Sequence, residues 1–182
     1  MFDQVGVIGA GLMGSEIAPV SALAIDMTRT PTIYFEDFVV GAIHEMGHRL
    51  VDRDEVVAFA QAFDPQLFHV DEEAARSSSF GGLIASGWHT CAMVMRMMCD
   101  DYLLDAASLG SPGVDNIRWL APVRPGDTIR AVRTVLEARV SKSKPGLGLV
   151  KSRWEVFNQN NEPVMTMEGM GMFACRNAGA GT

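Results

Sequence analysis

A carboxylate and an imidazole five positions apart, Asp64 and His69, are the residues of this chain that best suit catalysis. Together they can hold one water molecule and move a proton, which is the work of a general acid–base pair. Five positions is an awkward spacing in regular structure, because the two side chains diverge in a helix and face opposite ways in a strand. Pro65 favours extended geometry at Asp64. The sequence therefore predicts an irregular loop that brings the pair together.

Gly87 adds a third group that suits the same chemistry. It lies near the start of a long apolar segment with helical periodicity. Its N–H, supported by the positive end of the helix dipole, can stabilise negative charge on an oxygen. Asp64 and His69 alone also fit a loop ion pair and a surface histidine, which are common. With Gly87 and the element order below, we interpret the pair as catalytic.

Two other motifs match known functional patterns only in part. Gly9, Gly11 and Gly14 follow a short apolar run, as at the start of a 3-hydroxyacyl-CoA dehydrogenase, where such a turn binds pyrophosphate. Pro19 interrupts the helix that should follow, and Asp26 comes too early to bind a ribose. We expect an N-terminal arm here and no bound NAD.

The segment 44–48, His-Glu-Met-Gly-His, matches the zinc-protease pattern His-x-x-x-His with an adjacent glutamate. That chemistry needs a helix, which places both histidines on one face. Strand-forming residues precede the motif and Gly47 weakens a helix. We predict an ordinary strand, with His44 and His48 on one face and Glu45 on the other, and no metal.

The elements that must position these residues follow from hydrophobic periodicity and turn signals. The predicted strands span 38–50, 114–120, 128–140, 147–157 and 164–175, and the predicted helices span 55–62, 71–76 and 83–104. Four methionines of the long helix are expected to fill the core: Met93, Met95, Met97 and Met98. A buried helix followed by antiparallel strands joined by short turns predicts an α+β fold, with the sheet curled around the helix. Open sheet edges predict pairing with a second copy.

Composition limits the class of protein. The chain has 182 residues, 48% of them hydrophobic and 20% charged, which predicts one globular domain. We expect an N-terminal arm over 1–31, the domain over 32–176 and a flexible tail over 177–182. Three widely spaced cysteines predict reduced thiols. Without a segment apolar enough to span a bilayer or a signal-like start, the chain is predicted to be cytoplasmic.

Charge is unevenly distributed. The net charge of −7 argues against general nucleic-acid binding, and we also expect no membrane partner. Residues 115–155 nevertheless carry nine cations and four anions. This basic segment fits a binding surface for a small polyanion such as a phosphorylated cofactor tail, but the solvated faces of strands in a sheet explain it at least as well, and we favour that interpretation.

Four segments together resemble a known family. They are 64–69, the turn at Gly87, Arg-Pro-Gly-Asp-Thr at 124–128 and Asn-Gln-Asn-Asn-Glu at 158–162. In this order they resemble a MaoC-like hydratase of the hot dog fold, over about residues 34–176. The Asp-x-x-x-x-His segment ahead of the central helix is the feature that separates hydratases from the thioesterases of this fold.

The resemblance implies (R)-specific hydration of trans-2-enoyl-CoA thioesters, or the reverse dehydration. Asp64 and His69 match the catalytic aspartate and histidine, and Gly87 matches the glycine whose N–H binds the thioester oxygen. Gln66 falls where the family usually has asparagine, and Ser86, before Gly87, where it often has histidine. With Trp88, these departures are expected to shape the substrate site.

The resemblance further implies a coenzyme A thioester substrate, no metal or redox cofactor, and a homodimer or dimer-based oligomer. Two alternatives remain open. One is a hot dog acyl-CoA thioesterase, and the other is a non-catalytic acyl-CoA-binding homologue.

Overall fold

The computed structural model describes residues 30–176, and these form an α+β domain with one antiparallel sheet. The helices are α1 (Arg53–Phe63), α2 (Leu67–Val70), α3 (Glu72–Arg76) and α4 (Gly87–Met98), which continues as a π-helix over Cys99–Leu103. The strands are β1 (Ile43–Leu50), β2 (Gly113–Trp119), β3 (Thr128–Val140), β4 (Leu147–Phe157) and β5 (Pro163–Ala174). A 3-10 turn lies at Phe35–Asp37. The glycine turn at Gly9 to Gly14 lies outside the described residues.

The sheet has the order β1-β3-β4-β5-β2. Strands β3, β4 and β5 form the predicted meander, because short turns join them. The prediction that β2 joins the same succession of antiparallel strands, next to β3, is wrong. It pairs with β5 at the far side of the sheet, because β1 already occupies the free edge of β3.

The core lies between the sheet and α4. Alternate residues of β4 point inward and are buried, among them Val150, Trp154 and Val156. The buried face of α4 includes Met93, Met97 and Met98, which confirms core filling for three of the four methionines. Met95 is 46% exposed.

Strand β1 begins at Ile43, five residues later than predicted, and contains a bulge. Gly47 has a φ of +81°, and the pairing with β3 shifts between Glu45 and His48. The predicted facing of the histidines is therefore wrong: the bulge brings His48 Nε2 within 3.8 Å of Glu45 Oε1, while His44 pairs with Asp101 at 2.9 Å. Residues 30–176 contain no group of three or more side chains arranged to bind a metal ion.

The helix α4 begins four residues later than predicted. The N–H groups of Ile84 and Ala85 donate to Phe68 O and Val123 O, so they are already paired with distant segments. Ser86 then caps the helix through its side chain. Residues 83–86 are thereby held as an extended connector beside the loop that carries Asp64. No helix within 30–176 is long and apolar enough to cross a membrane.

Candidate active site

Asp64 and His69 come from two consecutive short segments. Asp64 is the residue after α1, where its N–H donates to Ala60 O at 2.8 Å. His69 lies on the single turn of α2, so the predicted loop is shorter than expected and covers only 64–66. Its Nε2 lies 3.4 Å from Asp64 Oδ2. The chain thus brings the two predicted side chains together by ending one helix and beginning another.

The imidazole of His69 is buried, at 4% exposure, and its orientation is fixed. Its Nδ1 lies 2.8 Å from Ile84 O, and because a carbonyl only accepts, Nδ1 carries the proton. In the neutral ring Nε2 is then an acceptor facing the aspartate. Two acceptors 3.4 Å apart form no direct hydrogen bond, but one water molecule can donate to both.

The Asp64 carboxylate is held by two side-chain donors. Ser86 Oγ donates to Oδ2 at 2.6 Å, and Gln66 Nε2 donates to Oδ1 at 2.8 Å. The hydrogen bond from Ser86, followed by that from Gln66, lowers the pKa of Asp64 below its ordinary value, against the opposing effect of burial. The carboxylate therefore stays ionised at neutral pH.

Gly87 is the first residue of α4. The N–H at this position has no acceptor within the helix and lies at the positive end of its dipole. Ser86 Oγ accepts instead from the N–H of Trp88, at 3.2 Å. The main-chain amide of Gly87 is therefore one peptide unit from the residue that binds the Asp64 carboxylate.

Trp119, at the end of β2, explains why residue 87 is glycine. A Cβ at Gly87 would lie 2.4 Å from an atom of the Trp119 ring, and the indole Nε1 donates to Gly87 O at 2.9 Å. Trp88 packs edge-to-face against Trp119, with ring centroids 5.5 Å apart, and both are about half exposed. Sequence reasoning missed Trp119, because an aromatic residue in a strand is ordinary. Only its distance from Gly87 in space gives it a role.

Three cations of the basic segment are engaged within the sheet. Lys151 and Arg153 on β4 both pair with Glu168 on β5, at 3.2 Å and 2.6 Å. Arg130 lies over the Phe157 ring and donates to Asn161. For these cations the structure favours the interpretation as solvated strand faces. The three cysteines, all within the described residues, are free thiols.

Comparison with solved structures supports a dehydratase fold. A MaoC-like dehydratase from Rhodospirillum rubrum superimposes with a TM-score of 0.73 at 39% sequence identity, covering 79% of this chain and 98% of that one. The five-stranded sheet around α4 is therefore a hot dog fold.

Curated relatives are more distant. The protein YdeM of Bacillus subtilis, uncharacterised, is 27% identical over 133 residues, which cover 73% of this chain and 93% of YdeM. The 3-hydroxyacyl-thioester dehydratase Z of Mycobacterium tuberculosis is 34% identical over 88 residues, which cover 47% of this chain and 58% of that enzyme.

The family model described as "MaoC like domain" matches residues 39–153, more than half of the chain. This range contains Asp64, His69, Gly87 and Trp119. The chain belongs to the MaoC-like dehydratase domain family.

Proposed function

We propose that this protein is a hydro-lyase that adds water to trans-2-enoyl-CoA to form (R)-3-hydroxyacyl-CoA, or catalyses the reverse dehydration. The proposal rests on one observation: Asp64 Oδ2 and His69 Nε2 face each other 3.4 Å apart, and both atoms accept hydrogen bonds. Such a pair binds and activates a single water molecule.

The geometry supports a simple reaction. In hydration, the oxygen of the bound water attacks the β-carbon of the enoyl thioester, while the Asp64–His69 pair takes one of its protons. Negative charge moves to the thioester oxygen, where the Gly87 N–H stabilises the enolate. A proton from the pair then reaches the α-carbon. Water supplies both added groups, the hydroxyl on the β-carbon and the hydrogen on the α-carbon, so the proposed reaction needs neither a metal nor a redox cofactor.

The substrate class is supported by relatives rather than by a bound ligand. The Mycobacterium tuberculosis relative is named as a dehydratase of 3-hydroxyacyl thioesters, which fits the enolate chemistry above. The coenzyme A carrier and the (R) configuration follow from the family resemblance. Gln66 and Ser86 hydrogen-bond to the Asp64 carboxylate, and Trp88 follows Gly87 on the first turn of α4.

We further propose that the protein works in the cytoplasm as a homodimer, joined through β2. This strand occupies one edge of the sheet and is exposed along almost its whole length, including the apolar residue Val114. An unpaired strand edge is stabilised by pairing with another strand.

The function is tested with crotonyl-CoA, by following the loss of the enoyl absorbance. Asp64→Asn and His69→Asn should each lower kcat by at least about a hundredfold, in line with the contribution of general acid–base groups. Glu73→Gln and His48→Asn make the same carboxylate-to-amide and imidazole-to-amide changes at exposed positions, so they serve as matched controls and should keep the parent rate.

Two outcomes would overturn the proposal. Release of free thiol without hydration would identify a thioesterase, in which the same water attacks the carbonyl carbon. Substrate binding with no turnover in the parent would identify an acyl-CoA-binding homologue.

A further inference from the structure

Ser86 is one of the most deeply buried polar residues of the described chain, with no exposed surface. Its hydroxyl makes two hydrogen bonds near the reacting groups: it accepts from Trp88 N–H at 3.2 Å and donates to Asp64 Oδ2 at 2.6 Å. A hydroxyl has only one proton. Because the Trp88 N–H is a donor, that proton is committed to the carboxylate.

The carboxylate of Asp64 is fixed as a result. The final torsion of an aspartate is broad, so a carboxylate without partners can rotate. Gln66 holds Oδ1 and Ser86 holds Oδ2, and the side of Oδ2 left free lies toward His69 Nε2, 3.4 Å away. The direction from which Asp64 can accept a proton from water is therefore set by its neighbours.

We infer that Ser86 is a positioning residue, which holds the Asp64 carboxylate at a set distance from the Gly87 amide and makes no contact with substrate. This inference rests on the proposed function and deepens it. Ser86 is bonded to Asp64 through its side chain and to Gly87 through the main chain. One residue thus connects the water-binding pair with the oxyanion donor.

The burial of Ser86 favours this positioning role over the substrate-binding role expected from the sequence. A side chain with no exposed surface and a committed proton has no group left to offer to an acyl chain. The family often has histidine, a larger side chain, at this position. The short serine allows the carboxylate to lie directly against the cap of α4.

Three substitutions separate positioning from helix capping. Ser86→Gly removes the hydroxyl that holds Asp64, but it keeps most of the helix capping, because glycine is nearly as good as serine at an N-cap. Ser86→Ala loses both the hydrogen bond to Asp64 and the helix cap. Ser86→Thr retains a hydroxyl for both bonds. Ser78→Ala is the matched control, because the Ser78 hydroxyl donates to Ala75 O at 2.6 Å, outside the site.

The first measurement is an NMR titration of the Asp64 carboxyl in the full chain without ligand. We expect the Asp64 pKa to rise in Ser86→Gly and Ser86→Ala, and to stay near the parent value in Ser86→Thr and Ser78→Ala. An unchanged Asp64 titration in Ser86→Gly would overturn the inference.

The second measurement is the kinetics of crotonyl-CoA hydration. In Ser86→Gly we expect kcat to fall by about ten- to a hundredfold, the effect of losing a hydrogen bond to a charged group, with KM little changed. In an Asp64→Asn background the same substitution should have little further effect, because the residues act as a unit. A rise in KM with kcat unchanged would instead show that Ser86 binds substrate.

The two measurements distinguish the inference from the function on which it rests. A parent protein without hydratase activity would refute the proposed function and the catalytic part of this inference. The titration would still decide whether Ser86 holds the Asp64 carboxylate.

Discussion

At the residue scale, hydrogen bonds to the Asp64 side chain keep the carboxylate ionised and fix its orientation. Ser86 and Gln66 keep the carboxylate ionised, and Ile84 O fixes the ring of His69 so that Nε2 faces the carboxylate. The proposed water-binding site thus depends on two donors and one carbonyl that take no part in the proposed reaction.

Gln66→Glu tests the second of these donors. The substitution replaces a hydrogen bond to Oδ1 with a like charge, so we expect the pKa of Asp64 to rise and kcat for crotonyl-CoA at neutral pH to fall by at least about tenfold. The matched control is Gln61→Glu, which makes the same charge change at an exposed position of α1 and should leave kcat unchanged. Equal activity in the two variants would contradict the role assigned to Gln66.

His89 gives a prediction about stability. It is buried on α4, stacks on Phe59 at 4.8 Å, and its Nδ1 has no hydrogen-bond partner among residues 30–176. Burial lowers the pKa of His89 below its ordinary value of 6.5; Glu55 opposes this effect, and Arg49 adds to it. Between the folded pKa and 6.5 the unfolded chain binds more protons, so stability is lost as pH falls through this window.

His89→Phe should remove this contribution while keeping the stacking on Phe59. We expect the free energy of unfolding to fall less between pH 7 and pH 5 than in the parent, by at most about 1.4 kcal/mol per pH unit, the limit for one proton. Urea unfolding at the two pH values measures the difference, with His48→Phe as the exposed control. The same pH dependence in the parent and His89→Phe would refute this account.

At the element scale, the start of α4 depends on its contact with the end of β2. The Trp119 indole lies where a side chain of residue 87 would be, and its Nε1 donates to Gly87 O. The first turn of α4 is thereby held from outside the helix. This contact joins the helix that carries the proposed oxyanion donor, the Gly87 amide, to an edge strand.

Gly87→Ala should disturb this contact, because its Cβ would lie 2.4 Å from a Trp119 ring atom. We expect a loss of about 1–3 kcal/mol in stability from overpacking, and a lower kcat because the amide shifts. Thermal melting and crotonyl-CoA kinetics measure the two effects. In a Trp119→Ala background the alanine should destabilise much less; an equal cost in both backgrounds would show that Trp119 is not the cause.

At the scale of the whole molecule, the sheet has two edges that can pair with a second copy. Edge strands β1 and β2 each carry a bulge, and each exposes apolar residues: Ile43 and Leu50 on β1, Val114 and Trp119 on β2. We place the proposed dimer interface on β2, and a substitution on that strand tests it.

Val114→Lys should therefore weaken the dimer. A lysine on a strand edge opposes pairing between two copies, so sedimentation should show a monomer at concentrations where the parent is dimeric. Val140→Lys provides the control, since Val140 is similarly exposed, at 47%, but lies at the end of β3. Dimers of equal stability in both variants would rule out β2 as the interface.

Much of the architecture could be predicted because it depends on local patterns. Alternating residues in β4 and the short turns before β4 and β5 were sufficient to place these two strands within one residue. The proximity of Asp64 and His69 was also predictable, because the two residues lie five positions apart around a proline. Two residues only five positions apart along the chain stay within a short distance of each other in the folded protein.

The tertiary structure alone decided the remaining features. The position of β2 depended on which sheet edge was free, and the start of α4 depended on acceptors at Phe68 and Val123. Trp119 and Gly87 are 32 positions apart, and His69 and Ile84 are 15 apart. Sequence spacing determines what a segment can form by itself, whereas a hydrogen bond or close contact between distant segments exists only after the whole chain has packed.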